Sequence, residues 1–416
     1  MKNFTGWQWL LIDAANQYGH DKKLFEERIE WTESMIAQGP GYLEAKAPMA
    51  ETKPLYLKAV MAIRKAQQGI PTGHMVGVDA CCSGIQVMSA LTGCTAGATA
   101  TGLVDPNVRA DAYTSVTNEM STILGSAVAV SRKDAKDATM TAFYGSKLVP
   151  KALFGEDTPE LDAFYRAAST VAPGAWELLQ DLLASWQPYA LSHGWKLPDG
   201  FDARVKVMAK REVRIEVDEL DHATFTYEFF ENQGSRTGLS NVANLTHSMD
   251  AYVLREMHRR CNYDREVMEH VAVLIEMEQI NRNLGNDTQG FDAGDRVVYY
   301  IDQCRRSTLV SAVILPHLTE GDMSSLDGAH LEALASLVNG MLAYQPFPLV
   351  TVHDEFKAHA NNINHVRYQY KEILAEIADS EVLSDLMSQI HGTPGMSTKI
   401  NLQLGDLIRG SNYGLC

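Results

Sequence analysis

The chain has 416 residues, 45% of them hydrophobic, and 36 Lys+Arg stand against 52 Asp+Glu for a formal net charge of −16. That length and apolar content support a large core shared by two or more subdomains. The charge excludes a uniformly basic nucleic-acid-binding surface, so any grip on nucleic acid must come from cations gathered in a channel or from another chain. No apolar run approaches a membrane span, and the first residues lack a basic stretch leading into a signal-like core, so a cytoplasmic protein with no membrane association is expected. The cysteines (Cys81, Cys82, Cys94, Cys261, Cys304, Cys416) form no Cys-x-x-Cys pair and no Cys/His zinc spacing. Buried reduced thiols follow from that pattern.

In chain order, residues 1–70 read as helices, with Trp7, Leu10, Leu11 and Ala14 at helical spacing and Pro71 and Gly73 closing the section. Met75 to Val78 is a short β-prone run ending in Asp79, followed by small residues and the helix-compatible Ile85 to Leu91, which predicts strand, tight turn and helix. Asp105-Pro106 predicts the cap and first position of a helix running through Tyr113, Val116, Met120 and Leu124. Ser131 to Tyr144 predicts another helix, stopped at Gly145. Residues 157–195 read as helical and Pro198-Asp199-Gly200 as a turn. From Val213 to Phe229 the period changes to two, predicting a hairpin joined through Glu219 to Ala223 with a largely acidic polar face. His247 is placed at the opening of a helix, residues 264–340 are mainly helical with breaks at Gly285 to Gly294 and near Pro316, and Phe347 to Phe356 is a strand or hairpin containing His353-Asp354. The apolar C-terminal stretch from Ile400 to Cys416 is expected to dock.

Three stretches carry chemistry. Asp79 at the end of a buried strand can hold a divalent cation against phosphates, since Mg²⁺ takes one or two carboxylates plus phosphate oxygens and water; a helix cap is the plain alternative. Asp354 stands in a similar setting. Arg132, Lys136, Met140 and Tyr144 recur in steps of four and form one stripe on a helix. Two cations suit phosphates there, and a Met and an aromatic suit a base and sugar; a solvated face with local pairing to Asp134 and Asp137 accounts for the same pattern.

Together and in this order, Asp79-Ala-Cys-Cys-Ser-Gly-Ile-Gln86, the Arg132/Lys136/Met140/Tyr144-Gly145 helix and His353-Asp354 resemble the motifs of the single-subunit RNA polymerases of bacteriophages and mitochondria. Weaker echoes lie at Trp7 to Trp31 with Asp21-Lys22, at Asp105 to Leu124 with Tyr113, at Asn244 to Asp250 with His247, and at Asn401 to Tyr413. The resemblance implies a predominantly helical α+β right-hand polymerase with palm and fingers, lacking the N-terminal domain and thumb. It divides the chain as 1–107 (palm, first part), 108–247 (fingers) and 248–416 (palm, second part), with a helical insertion at about 262–340. Glu355 follows Asp354 where the phage enzymes commonly have Ser, and the hairpin at 213–229 is acidic where the family has its promoter-reading loop.

The implied reaction is template-dependent nucleotidyl transfer of ribonucleotides to an RNA 3′ end. The resemblance gives Asp79 and Asp354 as catalytic residues and, with the Ala80 carbonyl, as holders of two Mg²⁺ ions. It gives Lys22, Arg132, Lys136, Met140, Tyr144, His247 and Tyr113 as substrate-binding residues, with Gly84, Gly145 and His353 supporting them. Gly84 falls where A-family DNA polymerases place a Glu that blocks a 2′-hydroxyl, so ribose is favoured over deoxyribose. The implied partners are a DNA template, the RNA product and ribonucleoside triphosphates. A second polypeptide supplying the N-terminal domain and thumb, and a further factor for promoter recognition or single-strand loading, complete the expectation. An A-family-like DNA polymerase or primase and a catalytically silent scaffold are the alternatives, separated by sugar choice and by mutation of Asp354.

Overall fold

A computed structural model describes residues 1–125, 130–238, 240–285, 294–394 and 397–416. The break expected at Gly285 to Gly294 lies, for 286–293, outside the described residues. Helix α1 (Gly6–Ala15) starts at a capping box in which Thr5 and Gln8 satisfy each other's backbone N–H groups, and it is buried from Trp9 to Ala15. It ends in a π-turn, Asn16–His20, where Gly19 takes a φ of 114° and turns the chain toward Lys22. Helices α2 (Phe25–Ala37) and α3 (Lys53–Gln67) pack on it.

Strand β1 (Met75–Asp79) leads into α4 (Ser83–Thr92), whose residues from Gly84 to Thr92 are all buried. Gln86 fixes this helix from inside. Its amide donates to the carbonyls of Thr101 (2.9 Å) and Gly414 (3.0 Å), and its oxygen accepts from the Tyr370 hydroxyl (2.6 Å). One residue of the first motif thus ties together three parts of the chain, each through a buried polar group that is costly to leave unpaired.

Helix α5 (Ala112–Leu124) starts later than Asp105-Pro106 suggested: Asp111 is its cap, accepting from the N–H groups of Tyr113 and Thr114. Asp105 instead closes a turn by accepting from Asn107 N–H at 2.8 Å. Both positions carry a good capping residue, and the helix forms from the one that also meets Arg132. Helices α6 (Arg132–Ala142), α7 (Pro159–Val171) and α8 (Pro173–Ala184) follow. Val116, Met120, Ala135, Ala138, Phe164 and Ala167 form a small separate core among them. The helical reading of 157–195 fails at its end, where β2 (Ser192–Lys196) pairs with β3 (Asp202–Lys206) around the turn at Gly200, φ 79°. Asp199 in that turn is clamped by Arg255 (2.6 Å) and Arg259 (2.9 Å).

The predicted hairpin is present and longer, as β4 (Met208–Val217) and β5 (Ala223–Asn232). Helix α9 begins at Ser240 and runs to Cys261, so His247 lies inside it and not at its opening. Helices α10 (Arg265–Asn283), α11 (Asp295–Ser307) and α12 (Gly328–Leu342), with the 3-10 turn Ala312–His317, build their own core from Met268, Val271, Leu274, Ile301, Leu315 and Leu334 among others. This unit is held to α9 by buried Glu256, which accepts from Ser311 Oγ (2.6 Å) and Ala312 N–H (3.0 Å). Strands β6 (Val350–Val352) and β7 (Glu355–His359) then join β1 in an antiparallel sheet of order β1-β7-β6, backed by α13 (Ile363–Asp379).

The C-terminal stretch docks as expected. Ala80 and Leu415 form a bridge, Asp79 N–H donates to Cys416 O at 3.3 Å and Cys416 N–H to Asp79 O at 3.0 Å. Among the described residues no helix is long and apolar enough to cross a membrane, and all six cysteines are free thiols.

Candidate active site

Two carboxylates distant in sequence meet through sheet register. Pairing of β1 with β7 sets Asp79 opposite Glu355, and Asp354 sits in the two-residue turn just before it. The turn is tight enough to force His353 to a φ of 55°, the positive-φ geometry that two-residue hairpins require. The Ala80 N–H donates to the Asp354 carbonyl at 3.3 Å, which fixes the two ends of the pair. His353 and Asp354 thus act as a turn, with strands on either side.

The Asp79 carboxylate opens onto solvent at the floor of a cleft, yet its proton affinity is high: burial by the surrounding walls, then Asp354 and Glu355, push it up to about 7. Its visible hydrogen bond is to its own neighbour's N–H, Ala80, at 3.1 Å. Glu355 lies across Gly77, where a Cβ would sit 2.2 Å from its Oε1, and pairs with Lys357 at 3.0 Å. Gly77 therefore makes room for a third carboxylate on the same sheet. Carboxylates crowded together at the base of a cleft are a donor set suited to a divalent cation. By proximity alone, the metal-like trio among the described residues is a different one, Glu216, Asp218 and His222, all exposed at the tip of the β4–β5 hairpin.

Two adjoining cavities open above the sheet. The polar one, about 560 Å³, is lined by Asp79, Ala80, Asp354, Lys22, Arg109, Arg132 and Lys136 among others. The apolar one, about 350 Å³, is lined by Gly84, Tyr144, His247, Asp250, His353 and Leu254 among others. Cys82, Tyr113, Met140 and Asp354 belong to both. On α6 the small residues Ala135, Ala138 and Ala142 face inward, which leaves Arg132, Lys136 and Met140 on the side toward the cavities. Arg132 pairs with Asp111 and donates from Nε to Thr114 Oγ1 at 3.0 Å, in place of the local pairing with Asp134 or Asp137. The Lys136 ammonium lies 5.7 Å from the Tyr113 ring centroid. Gly145, φ 89°, turns the chain at the helix end and so aims Tyr144 back toward α9.

Tyr144 stacks on His247 with ring centroids 4.7 Å apart and planes 17° from parallel. A methyl group at position 84 would lie 2.6 Å from the Tyr144 hydroxyl, so Gly84 provides clearance for the tyrosine. The sequence-predicted residues Lys22, Asp79, Ala80, Gly84, Tyr113, Arg132, Lys136, Met140, Tyr144, His247, His353 and Asp354 therefore line one continuous double cavity. Gly145 shapes it from the turn behind.

Sequence reasoning did not single out Arg109, Asp111 or Asp250 as site residues. Arg109 is half-buried; its guanidinium donates to the Ala110 carbonyl through Nη1, and its Nε is buried without a partner. Asp250 lies one turn beyond His247 on α9; burial and then Asp354 push its carboxyl up to about 7, against hydrogen bonds from Tyr144 and Ser83. The available signals for Asp250 were the Asn244-to-Asp250 echo that ends on it and its three-residue spacing from His247, which puts both side chains on one helix face.

Comparison with known proteins bears on the first third of the chain. Residues 2–154 match the family model of DNA-dependent RNA polymerase. The DNA-directed RNA polymerase of Pseudomonas phage phiKMV is 30% identical over 124 residues, a stretch covering 27% of this chain and 15% of the phage protein. The matched segment contains Lys22, Asp79, Gly84, Arg132, Lys136 and Tyr144; His247, Asp250 and Asp354 lie beyond it.

Proposed function

We propose, from the place of residues 2–154 in the DNA-dependent RNA polymerase family, that this chain is the catalytic part of a phage-type transcriptase that adds ribonucleotides to an RNA 3′ end on a DNA template. The observation that carries the reading is that Asp354, outside the matched segment, stands beside Asp79 across the β1–β7 register and opens into the same cavity as Lys22, Arg132 and Lys136. Residues 1–107 and 248–416 then act as the palm, 108–247 as the fingers and 262–340 as an insertion.

In the reaction the transcript 3′-hydroxyl attacks the α-phosphate and pyrophosphate leaves. Asp79, Asp354 and the Ala80 carbonyl would hold two Mg²⁺ ions, which when bound activate the hydroxyl and neutralise the leaving group. Lys22, Lys136 and Arg109 bind the triphosphate and stabilise the charge that grows on it. Arg132 joins them by exchanging Asp111 for phosphate oxygens, an exchange between two charge-assisted partners. Met140 and Tyr113 pack against the base and sugar, while Tyr144 and His247 meet the ribose.

The net charge of −16 opposes binding of duplex DNA. The chain would therefore work with a second polypeptide that contributes cations to the template channel, and with a further factor for promoter recognition or single-strand loading, in the cytoplasm of a bacterial host.

The test is extension of a primed DNA template by the chain alone and with proteins that co-purify from its host. Magnesium-dependent addition of ribonucleotides, stopped by a chelator and resumed on adding Mg²⁺, is the expected result. Addition of deoxynucleotides in preference, or none under either condition, would sink the reading.

A further inference from the structure

Resting on that reading, we infer that Arg28 is a positioning residue that presents Lys22 to the triphosphate. Its side chain is fully buried on α2, and the three hydrogen bonds it makes all hold the segment that carries Lys22. Nη2 donates to the Asp21 carbonyl at 2.6 Å and Nε to the Lys23 carbonyl at 2.9 Å. The carbonyls on either side of Lys22 thus close on one planar group. Nη1 donates to Asn16 Oδ1 at 2.9 Å, which ties that group to the start of the π-turn leading out of α1. From the neighbouring position on α2, Glu27 accepts from Leu24 N–H at 2.7 Å and fixes the far end of the loop. The Lys22 side chain is left exposed, on the wall of the polar cavity that also holds Asp79 and Asp354.

The needs of α2 itself do not account for Arg28. It is the fourth residue of the helix, where a cation opposes the helix dipole. The acceptors it bonds are neutral, two carbonyls and an amide oxygen, so its burial is not that of a matched ion pair. What the guanidinium does supply is geometry. Its planar fork bridges two carbonyls at once, which the point charge of a lysine cannot do. Lys22 has a long, flexible side chain, and an unfixed main chain would spread its ammonium over a wide volume. Fixing both flanking carbonyls confines it to the cavity wall. A charge that stabilises a reacting phosphate must already be in place, and a misplacement of about 1 Å can cost about 100-fold in rate.

The experiment is kcat/KM for ribonucleotide addition on a primed template, measured for wild type, Arg28→Lys, Lys22→Ala and the double variant. Arg28→Lys keeps the charge and loses the fork. With Lys22 present it should lower kcat/KM roughly tenfold, the worth of about one hydrogen bond to the loop. In the Lys22→Ala background the same substitution should change kcat/KM by less than about twofold, since the ammonium it places is gone. A merely structural Arg28 would lower kcat/KM by the same factor in both backgrounds, which would overturn the assignment. So would an Arg28→Lys variant as active as wild type, or a Lys22→Ala variant with unaltered kcat/KM. Should Arg28→Lys fail to fold, Asn16→Ala carries the test. It removes one anchor of the guanidinium and should lower kcat/KM roughly threefold with Lys22 present and leave it unchanged in Lys22→Ala; an equal effect in both refutes the inference. A wild type that adds no ribonucleotide overturns the polymerase reading and this inference together, whereas ribonucleotide addition with independent losses at the two positions overturns the inference alone.

Discussion

The protein carries acidic groups on two antiparallel β-structures, and the two could hardly be more different in setting. The β1-β7-β6 sheet places Asp79, Asp354 and Glu355 at the base of a cleft, with Val76, Val78 and Phe356 buried behind them. The β4–β5 hairpin places Glu216, Asp218 and His222 at a tip in water, and even its apolar face is open, with Val213, Phe225 and Tyr227 each about half exposed. By ligand spacing the hairpin looks like the better metal site. By electrostatics the sheet is, because burial by the cleft walls and neighbouring carboxylates raise Asp79 to about 7, while water solvates the exposed groups at little cost. On the proposed reading, the cost of keeping carboxylates charged is a better guide to the site than their clustering.

The sharpest way to break this comparison is to neutralise each set. Asp79→Asn and Asp354→Asn should each reduce nucleotide addition by about 1,000-fold or more, the scale expected when charge stabilisation is removed from a reacting phosphate. Glu216→Gln combined with Asp218→Asn should change it by no more than about twofold, as for exposed groups in general. Primer extension under single-turnover conditions separates the outcomes. A large loss in the hairpin variant would move the metal site to the tip.

A smaller effect is expected from the cavity wall. Arg109→Ala should raise KM for ribonucleotides roughly tenfold, with a lesser change in kcat, because it removes a cation whose Nε has no partner within the protein. Arg132→Ala should cost less in KM, since part of its charge is already spent on Asp111. Equal effects at the two positions would mean that Asp111 releases Arg132 freely.

How much of this was legible depended on whether a residue's role is local. Asp79 could be read because a β-prone run ends on it and small residues follow, and the Arg132-to-Tyr144 stripe because its spacing is a helix's own. Asp354 was legible from its similar setting and from the resemblance, but the register of β1 with β7, which brings it beside Asp79, was not. Arg109 and Asp250 were not legible as cavity residues, since they reach the cavities only where α4, α9 and the loop before α5 converge. The misplaced boundaries have a similar cause. Asp105 and Asp111 are equally good caps by local chemistry, and tertiary contact with Arg132 distinguishes them. The strand at Ser192–Lys196 was hidden because its pairing partner lies beyond the turn at Gly200.

The smallest effect expected is on stability, and its sign follows from the same carboxylate. The Asp79 pKa rises from 3.8 to about 7 on folding, so the folded chain holds this proton more tightly than the unfolded chain does. That contribution to stability is fully present below about pH 4 and is lost as pH rises through 7. In metal-free solution at pH 8 the wild type therefore pays to keep Asp79 ionised, and Asp79→Asn, which cannot ionise, should melt higher. Because Asp79 opens onto solvent, screening limits the gain to about 1–2 °C. Near pH 5 the advantage should shrink, since both proteins then carry a neutral group there. Added Mg²⁺ should reverse the order at pH 8, raising the wild-type melting temperature and leaving the variant nearly unchanged. A variant that melts lower than wild type at pH 8 without metal would show that the ionised carboxylate is satisfied by the protein itself, and the cleft would then lose its electrostatic distinction from the hairpin.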